Sequence, residues 1–265
     1  MILLSVIFSL WAFTVAAAFV NPTNIARSGS TNSSGVLFGY YYSIIADDGD
    51  AVTVADMEDG FYTIQWTDNT GHFAVGVGYN PGSAQTISFS IGAGEGSSYV
   101  SVYGWTTDPL IEYRIVEQIY GGVDPSIGLT WKGNLTSDGS VYDVYEAKIV
   151  DAPSIVGVAN FTQYWSIRQD IRNYAVVTTG NHFAGWAAAG MQLGAFGYQI
   201  VATEGPNSSN NGSVAFVQVE SAPAGSCAQE YAQCGGQTWT GTTCCVSNTT
   251  CVVDNAYFST CLSDL

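Results

Sequence analysis

The run Leu110-Ile111-Glu112-Tyr113-Arg114-Ile115-Val116 alternates in character, with Ile111, Tyr113 and Ile115 at odd positions and Glu112 and Arg114 at even ones. Successive side chains of a strand point to opposite faces, so this period of two predicts a strand with one packed face and one polar face. Outward from it, between Phe38 and Glu220, short aromatic and β-branched runs are separated by the turn signals DDGD, DNTG, NPGS, GAGEG and SDGS. That pattern is all-β. Only Asn181 to Leu193, NHFAGWAAAGMQL, reads as a helix, rich in Ala and opened by Asn181 as a cap. Many strands with one helix predict a two-sheet sandwich.

The chain has 265 residues, enough for one large domain with a small module attached. It is 47% hydrophobic and 13% aromatic but only 11% charged, so Ser, Thr, Asn, Gln, Gly and Tyr must cover much of the surface. A formal net charge of −16 argues against nucleic acid or an anionic membrane as partner. A neutral, hydroxyl-rich ligand is allowed.

The two ends differ from the middle. Residues 1–18, MILLSVIFSLWAFTVAAA, form an apolar run ending in small residues and read as a secretory signal, too short for a membrane span. Sequons at Asn32, Asn134, Asn160, Asn207, Asn211 and Asn248 are compatible with passage through a glycosylating route. All six cysteines, Cys227, Cys234, Cys244, Cys245, Cys251 and Cys261, lie in the C-terminal tail. A tail too small for an apolar core reads as a disulfide scaffold, with 15 connectivities open. Zinc fits poorly, because the tail has no His and no C-x-x-C clip. These signals divide the chain into a signal peptide (1–18), a main domain (19–219), a linker (220–226) and a disulfide-rich β module (227–265).

An antiparallel sheet ordinarily leaves one face to water, with Lys, Thr, Glu and Ser on it. Here the runs carry Tyr40, Tyr41, Tyr42, Tyr99, Tyr103, Trp105, Tyr142, Tyr145, Tyr164 and Trp165 instead, which the sequence predicts to be exposed or half-exposed. Aromatic platforms with hydroxyl and amide neighbours suit sugar rings, which stack through one face and hydrogen-bond through the rim.

The segments GYYYS (39–43), SVYGWTTDPLIEY (101–113), TSDGSVYDVY (136–145), APSI (152–155), FTQYWSIRQ (161–169), TTGNHFAGWAAAGMQLG (178–194) and YQIVATEG (198–205) resemble glycoside hydrolase family 11 in order and spacing. The resemblance implies a secreted, monomeric endo-1,4-β-xylanase, a β-jelly-roll with a cleft on its curved inner sheet, and a thumb tipped by Pro153-Ser154-Ile155. It implies Glu112 as nucleophile and Glu204 as acid/base, with xylan as substrate and no metal or organic cofactor. Retaining hydrolysis needs one ionised and one protonated carboxyl, about 5 to 5.5 Å apart. Tyr103 matches the tyrosine that bonds the nucleophile, and Gln163 and Trp165 match cleft residues.

Several positions depart from that pattern. Ile44 and Ile45 stand where an aromatic and a stacking Trp are usual, His72 stands beside the acid/base, and Val77 and Tyr79 replace a Lys and a Trp. Arg114 replaces a Tyr, while Ile149 stands where an Arg precedes the thumb. One interpretation is a cation relocated to Arg114, on the face of Glu112. A protonated His72 would oppose Glu204 as an acid. The alternative reading is a catalytically weakened carbohydrate-binding or host-sensed protein on the same fold. The tail, with QCGG, W-T-G and NAYFSTCL, resembles the fungal family 1 cellulose-binding module. That implies bridges Cys234 to Cys251, Cys245 to Cys261 and Cys227 to Cys244. It also implies a cellulose-binding face of Tyr231, Asn255, Tyr257 and Phe258.

Overall fold

A computed structural model describes residues 27–28, 32–207 and 209–220, and in the tail residues 228, 231, 233–237, 239, 243–245, 249–256 and 258–263. The expected signal peptide, the linker beyond Glu220, Asn248, Cys227 and Tyr257 lie outside the described residues. Among the described residues no helix is long and apolar enough to cross a membrane.

The main domain is two sheets face to face. The larger has nine strands in the order Thr130–Ser137, Ser140–Ser154, Gly157–Arg168, Ile111–Tyr120, Ser98–Thr107, Ala195–Gly205, Phe73–Tyr79, Tyr40–Ala46 and Ser33–Leu37. All neighbours are antiparallel except Ile111–Tyr120 with Gly157–Arg168. The smaller, seven-stranded sheet is built around Phe61–Asn69, Asn210–Glu220 and Thr86–Ile91.

The alternation at 110–116 places its residues as the period of two requires. Ile111, Tyr113 and Ile115 join Tyr62, Ile64, Trp66, Phe89 and Val217 of the facing sheet in the core. Full burial of each such side chain is worth about 1.5–3 kcal/mol. Glu112 and Arg114 turn to the opposite, concave face, yet they too are buried. Gly76 and Gly78 show how tightly the concave face is drawn, since a Cβ on them would meet the Val201 and Gln199 carbonyl oxygens at 2.2 and 2.4 Å. Larger residues there would push strand Ala195–Gly205 away.

The helix spans Thr179–Ala188, shorter than the sequence predicts. Gly190, at φ +79, turns the chain out of the helix. Thr178 is the N-cap and makes no side-chain capping bond, while Asn181 donates to Ser137 Oγ at 3.0 Å. The helix packs Trp186 against Tyr113 and Tyr164 of the larger sheet.

The aromatic residues correct a second expectation. Tyr40, Tyr99, Tyr103, Trp105, Tyr142, Tyr164 and Trp165 are all buried, and only Tyr41, Tyr42 and Tyr145 are half-buried. Tyr142 and Tyr164 lie under the helix, against His182 and Trp186. On the concave side, curvature brings rings from neighbouring strands together, so that Trp105 packs on Phe161 and Tyr99 on Trp165.

In the tail, Gln233–Gly235, Phe258–Ser263 and Thr249–Asn255 form a three-stranded sheet in that order. Disulfides join Cys234 to Cys251 and Cys245 to Cys261, with Cα separations of 5.8 and 5.6 Å. Cys244 is also disulfide-bonded.

Candidate functional site

The concave face holds a cleft of about 740 Å³, lined among others by Tyr41, Ile45, His72, Tyr103, Glu112, Arg114, Gln163 and Tyr198. Hairpin Ser140–Ser154 to Gly157–Arg168 borders it, with Pro153 and Ile155 reaching the cleft and Ser154 paired to Gly157 at the tip.

Glu112 is held by three donors. Its Oε1 accepts from Tyr103 Oη at 2.7 Å and Arg114 Nη2 at 2.9 Å, and its Oε2 accepts from Gln163 Nε2 at 2.6 Å. Tyr103 is aimed in turn by Trp105 Nε1, which donates to its hydroxyl at 2.8 Å. Ser101, Tyr103 and Trp105 alternate along one strand, so a single face carries the donors for both glutamates. Burial pushes the Glu112 carboxyl up, but the charge and hydrogen bond of Arg114, with those of Tyr103 and Gln163, outweigh it and hold the group below its ordinary value. Burial, reinforced by the Glu112 charge, keeps the Tyr103 phenol well above its ordinary value, so it remains a donor.

Glu204 is fully buried. Its Oε1 accepts from Ser101 Oγ at 3.0 Å and its Oε2 from Arg114 Nε at 2.7 Å. His72 Nε2 lies farther off, 3.8 Å from Oε2. Both glutamates are therefore on one face and joined through one guanidinium. The structure gives Glu204 a closer cationic neighbour than the His72 singled out in the sequence.

Arg114 is buried between two rings, its Cζ 4.5 Å from the centre of Trp165 and 4.9 Å from that of Tyr103. Trp165, read from sequence as a cleft residue, is buried and serves as a platform for Arg114. Cations stack well on aromatic faces.

Sequence reasoning missed Ser101 as a partner of Glu204, although its alternation with Tyr103 carried the signal. It also missed a second buried ion cluster behind the cleft. Glu117 Oε2 accepts from Arg172 Nε at 2.6 Å, its Oε1 from Tyr142 Oη at 2.6 Å, and Arg168 Nη1 is 4.0 Å away.

On the tail, Tyr231 and Asn255 are exposed and Phe258 is half-buried. Tyr231 presents 47% of its surface, so its ring is open to a flat partner.

Residues 38–215 match the model of glycosyl hydrolases family 11, and residues 230–258 that of the fungal cellulose binding domain. The chain is 43% identical to endo-1,4-β-xylanase B of Phanerodontia chrysosporium, over 97% of this chain and 98% of that protein. It is 44% identical to ethylene-inducing xylanase 1 of Botryotinia fuckeliana, over 90% of each. A solved endo-1,4-β-xylanase structure from Trichoderma reesei superposes with a TM-score of 0.55 at 34% identity, covering 75% of this chain and 96% of that one.

Proposed function

From the premise that this chain belongs to glycosyl hydrolase family 11 and carries a fungal cellulose-binding domain, we propose how its residues perform endo-1,4-β-xylan hydrolysis. The observation that carries the reading is the buried pair Glu112 and Glu204, joined through Arg114 on the concave face, with Tyr103 and Gln163 fixing Glu112 at the cleft. Glu112, held below the usual carboxylate range, is ionised and attacks the anomeric carbon of the sugar. The glycosidic C–O bond breaks as Glu204, protonated, gives its proton to the departing oxygen. The sugar is then an ester of Glu112, and Glu204, now a base, takes a proton from the water that displaces it. Configuration is retained.

Tyr231, Tyr257 and Phe258 anchor the enzyme on cellulose through their rings, with Asn255 as a polar neighbour. The apolar, leader-like run at 1–18 and the disulfide-held tail support an extracellular location.

The test is release of reducing ends from unbranched xylan between about pH 3 and pH 8, with the product anomer read by proton NMR. Glu112→Gln should abolish release, and the first product should be the β-anomer. An α-anomer would sink the double displacement. A second reading, a polysaccharide-binding protein that has lost turnover, draws on one observation: Arg114 occupies Oε2 of the fully buried Glu204. Binding to xylan without hydrolysis at any pH would establish it.

A further inference from the structure

Resting on the hydrolytic reading, we propose that Arg114 is a positioning residue that clamps Glu112 and Glu204 to one guanidinium, and so sets the pH at which the pair works. Among the described residues, Arg114 is the one Lys or Arg lining the cleft. Elsewhere in the domain Lys132 pairs with Glu146, and Arg168 and Arg172 with Glu117.

The guanidinium spends its bonds on the two carboxylates. Nη2 donates to Glu112 and Nε to Glu204, while the buried Nη1 makes no hydrogen bond among the described residues. Its position is therefore set by two carboxylates and two rings. The clamp spans strands, since Glu112 and Arg114 lie on Ile111–Tyr120 and Glu204 on Ala195–Gly205, with Ser98–Thr107 between them.

Hydrogen-bond arithmetic links this geometry to catalysis. An arginine N–H can only donate, so a proton on Glu204 Oε2 would confront the Nε–H. A proton on Oε1 requires the Ser101 hydroxyl to turn from donor to acceptor, which a serine can do. Glu204 is also fully buried. Loosening the Nε contact both makes room for the proton and frees the carboxyl toward the sugar.

The groups facing the pair come from every neighbouring element. Ser101 and the buried Tyr99 face it from Ser98–Thr107, and Tyr103 and Trp165 flank the guanidinium. His72 approaches from the edge of Phe73–Tyr79, its backbone N–H donating to Asp47 Oδ2 at 3.2 Å, and Tyr62 approaches from the facing sheet. A protonated His72 acts in the same direction as Arg114, and Asp47 opposes it.

A cation beside a carboxylate favours its ionised form, so removing Arg114 moves the titration of the coupled pair to higher pH. Full-length protein labelled with [δ-13C]glutamate is titrated by NMR as wild type, Arg114→Gln and Arg114→Lys, and the pH profile of kcat/KM on xylohexaose is recorded for each. Arg114→Gln should raise the carboxyl titration and both limbs of the rate profile by about one to three pH units. Arg114→Lys should raise them by at least about half a unit, because an ammonium cannot fork to two carboxylates. This second variant carries the test should the first not fold. Unmoved or lowered titrations in the folded variants overturn the clamp. Titrations that rise while no form hydrolyses the oligosaccharide support the clamp and overturn the hydrolase reading.

Discussion

Strand Ile111–Tyr120 carries two buried ion clusters of opposite make-up, one on each side of the larger sheet. On the concave side two carboxylates, Glu112 and Glu204, share one guanidinium. On the other side, at the register shift between Val116 and Gln118, one carboxylate, Glu117, is faced by Arg168 and Arg172. Burial outweighs these partners at Glu117 and pushes its carboxyl up, whereas at Glu112 the partners outweigh burial. The difference separates two uses of buried charge. Surplus anion beside a cleft suits proton transfer, whereas surplus cation in a closed network fixes strand Ile111–Tyr120 to the segment that follows Gly157–Arg168.

Exchanging the carboxylates breaks the comparison most sharply. Glu112→Gln should lower kcat by about 10³-fold or more, as loss of a nucleophile does. It should leave the melting temperature within a few degrees, because Arg114 and Glu204 still pair one to one. Glu117→Gln should do the reverse, costing about 3 kcal/mol by stranding two guanidiniums near a neutral amide. In a domain of this size that lowers Tm by roughly 10 °C, with the pH profile of hydrolysis unmoved. Calorimetry and initial rates on both variants check it, and a large stability loss in Glu112→Gln would erase the distinction.

The closed side also predicts a pH effect of its own. His182 packs edge-on against Tyr142 at 4.5 Å and is fully buried. Burial lowers its imidazole to about 3, with Asp138 opposing and Arg168 and Arg172 adding to the shift. The unfolded chain therefore takes up this proton first as pH falls below about 6.5, so stability is lost between there and about pH 3. By pH 4 the loss is about 3 kcal/mol. His182→Phe should remove that share of the slope in denaturant unfolding measured at pH 7 and pH 4. An unchanged slope would put the acid sensitivity elsewhere.

The two sides were unequally legible in sequence. Local alternation put Glu112 and Arg114 on one face, because a period of two fixes faces without any knowledge of the partner strands, whereas Tyr103 was found through the family resemblance. The helix was legible as an element but not at its end, where Gly190 needed a left-handed turn. Burial of Trp105, Tyr99 and Trp165 was not legible, since it follows from curvature that brings neighbouring strands together. Pairing of Arg114 with Glu204, 90 residues apart, follows from strand order in the same way. The Glu117 cluster escaped because Arg172 lies 55 residues along the chain from Glu117, with Arg168 close to it, and no local pattern joins them to the glutamate.

The finest test concerns Ser101, which donates to Glu204 Oε1 from the strand between the two glutamates. A neutral donor to a carboxylate is worth about 1.5–3 kcal/mol, and here the hydroxyl can turn and accept when the carboxyl carries the proton. Ser101→Ala removes both roles but leaves the Arg114 contact intact. Glu204 then keeps the partner that opposes its proton and loses the one that can accommodate it. Xylan hydrolysis should fall by about tenfold in kcat with KM little changed, because the proton is needed at bond cleavage rather than at binding. Ser101→Thr, which keeps the hydroxyl, should recover most of the rate. Equal losses in both variants would mean that packing on the concave face, and not the hydroxyl, sets the rate.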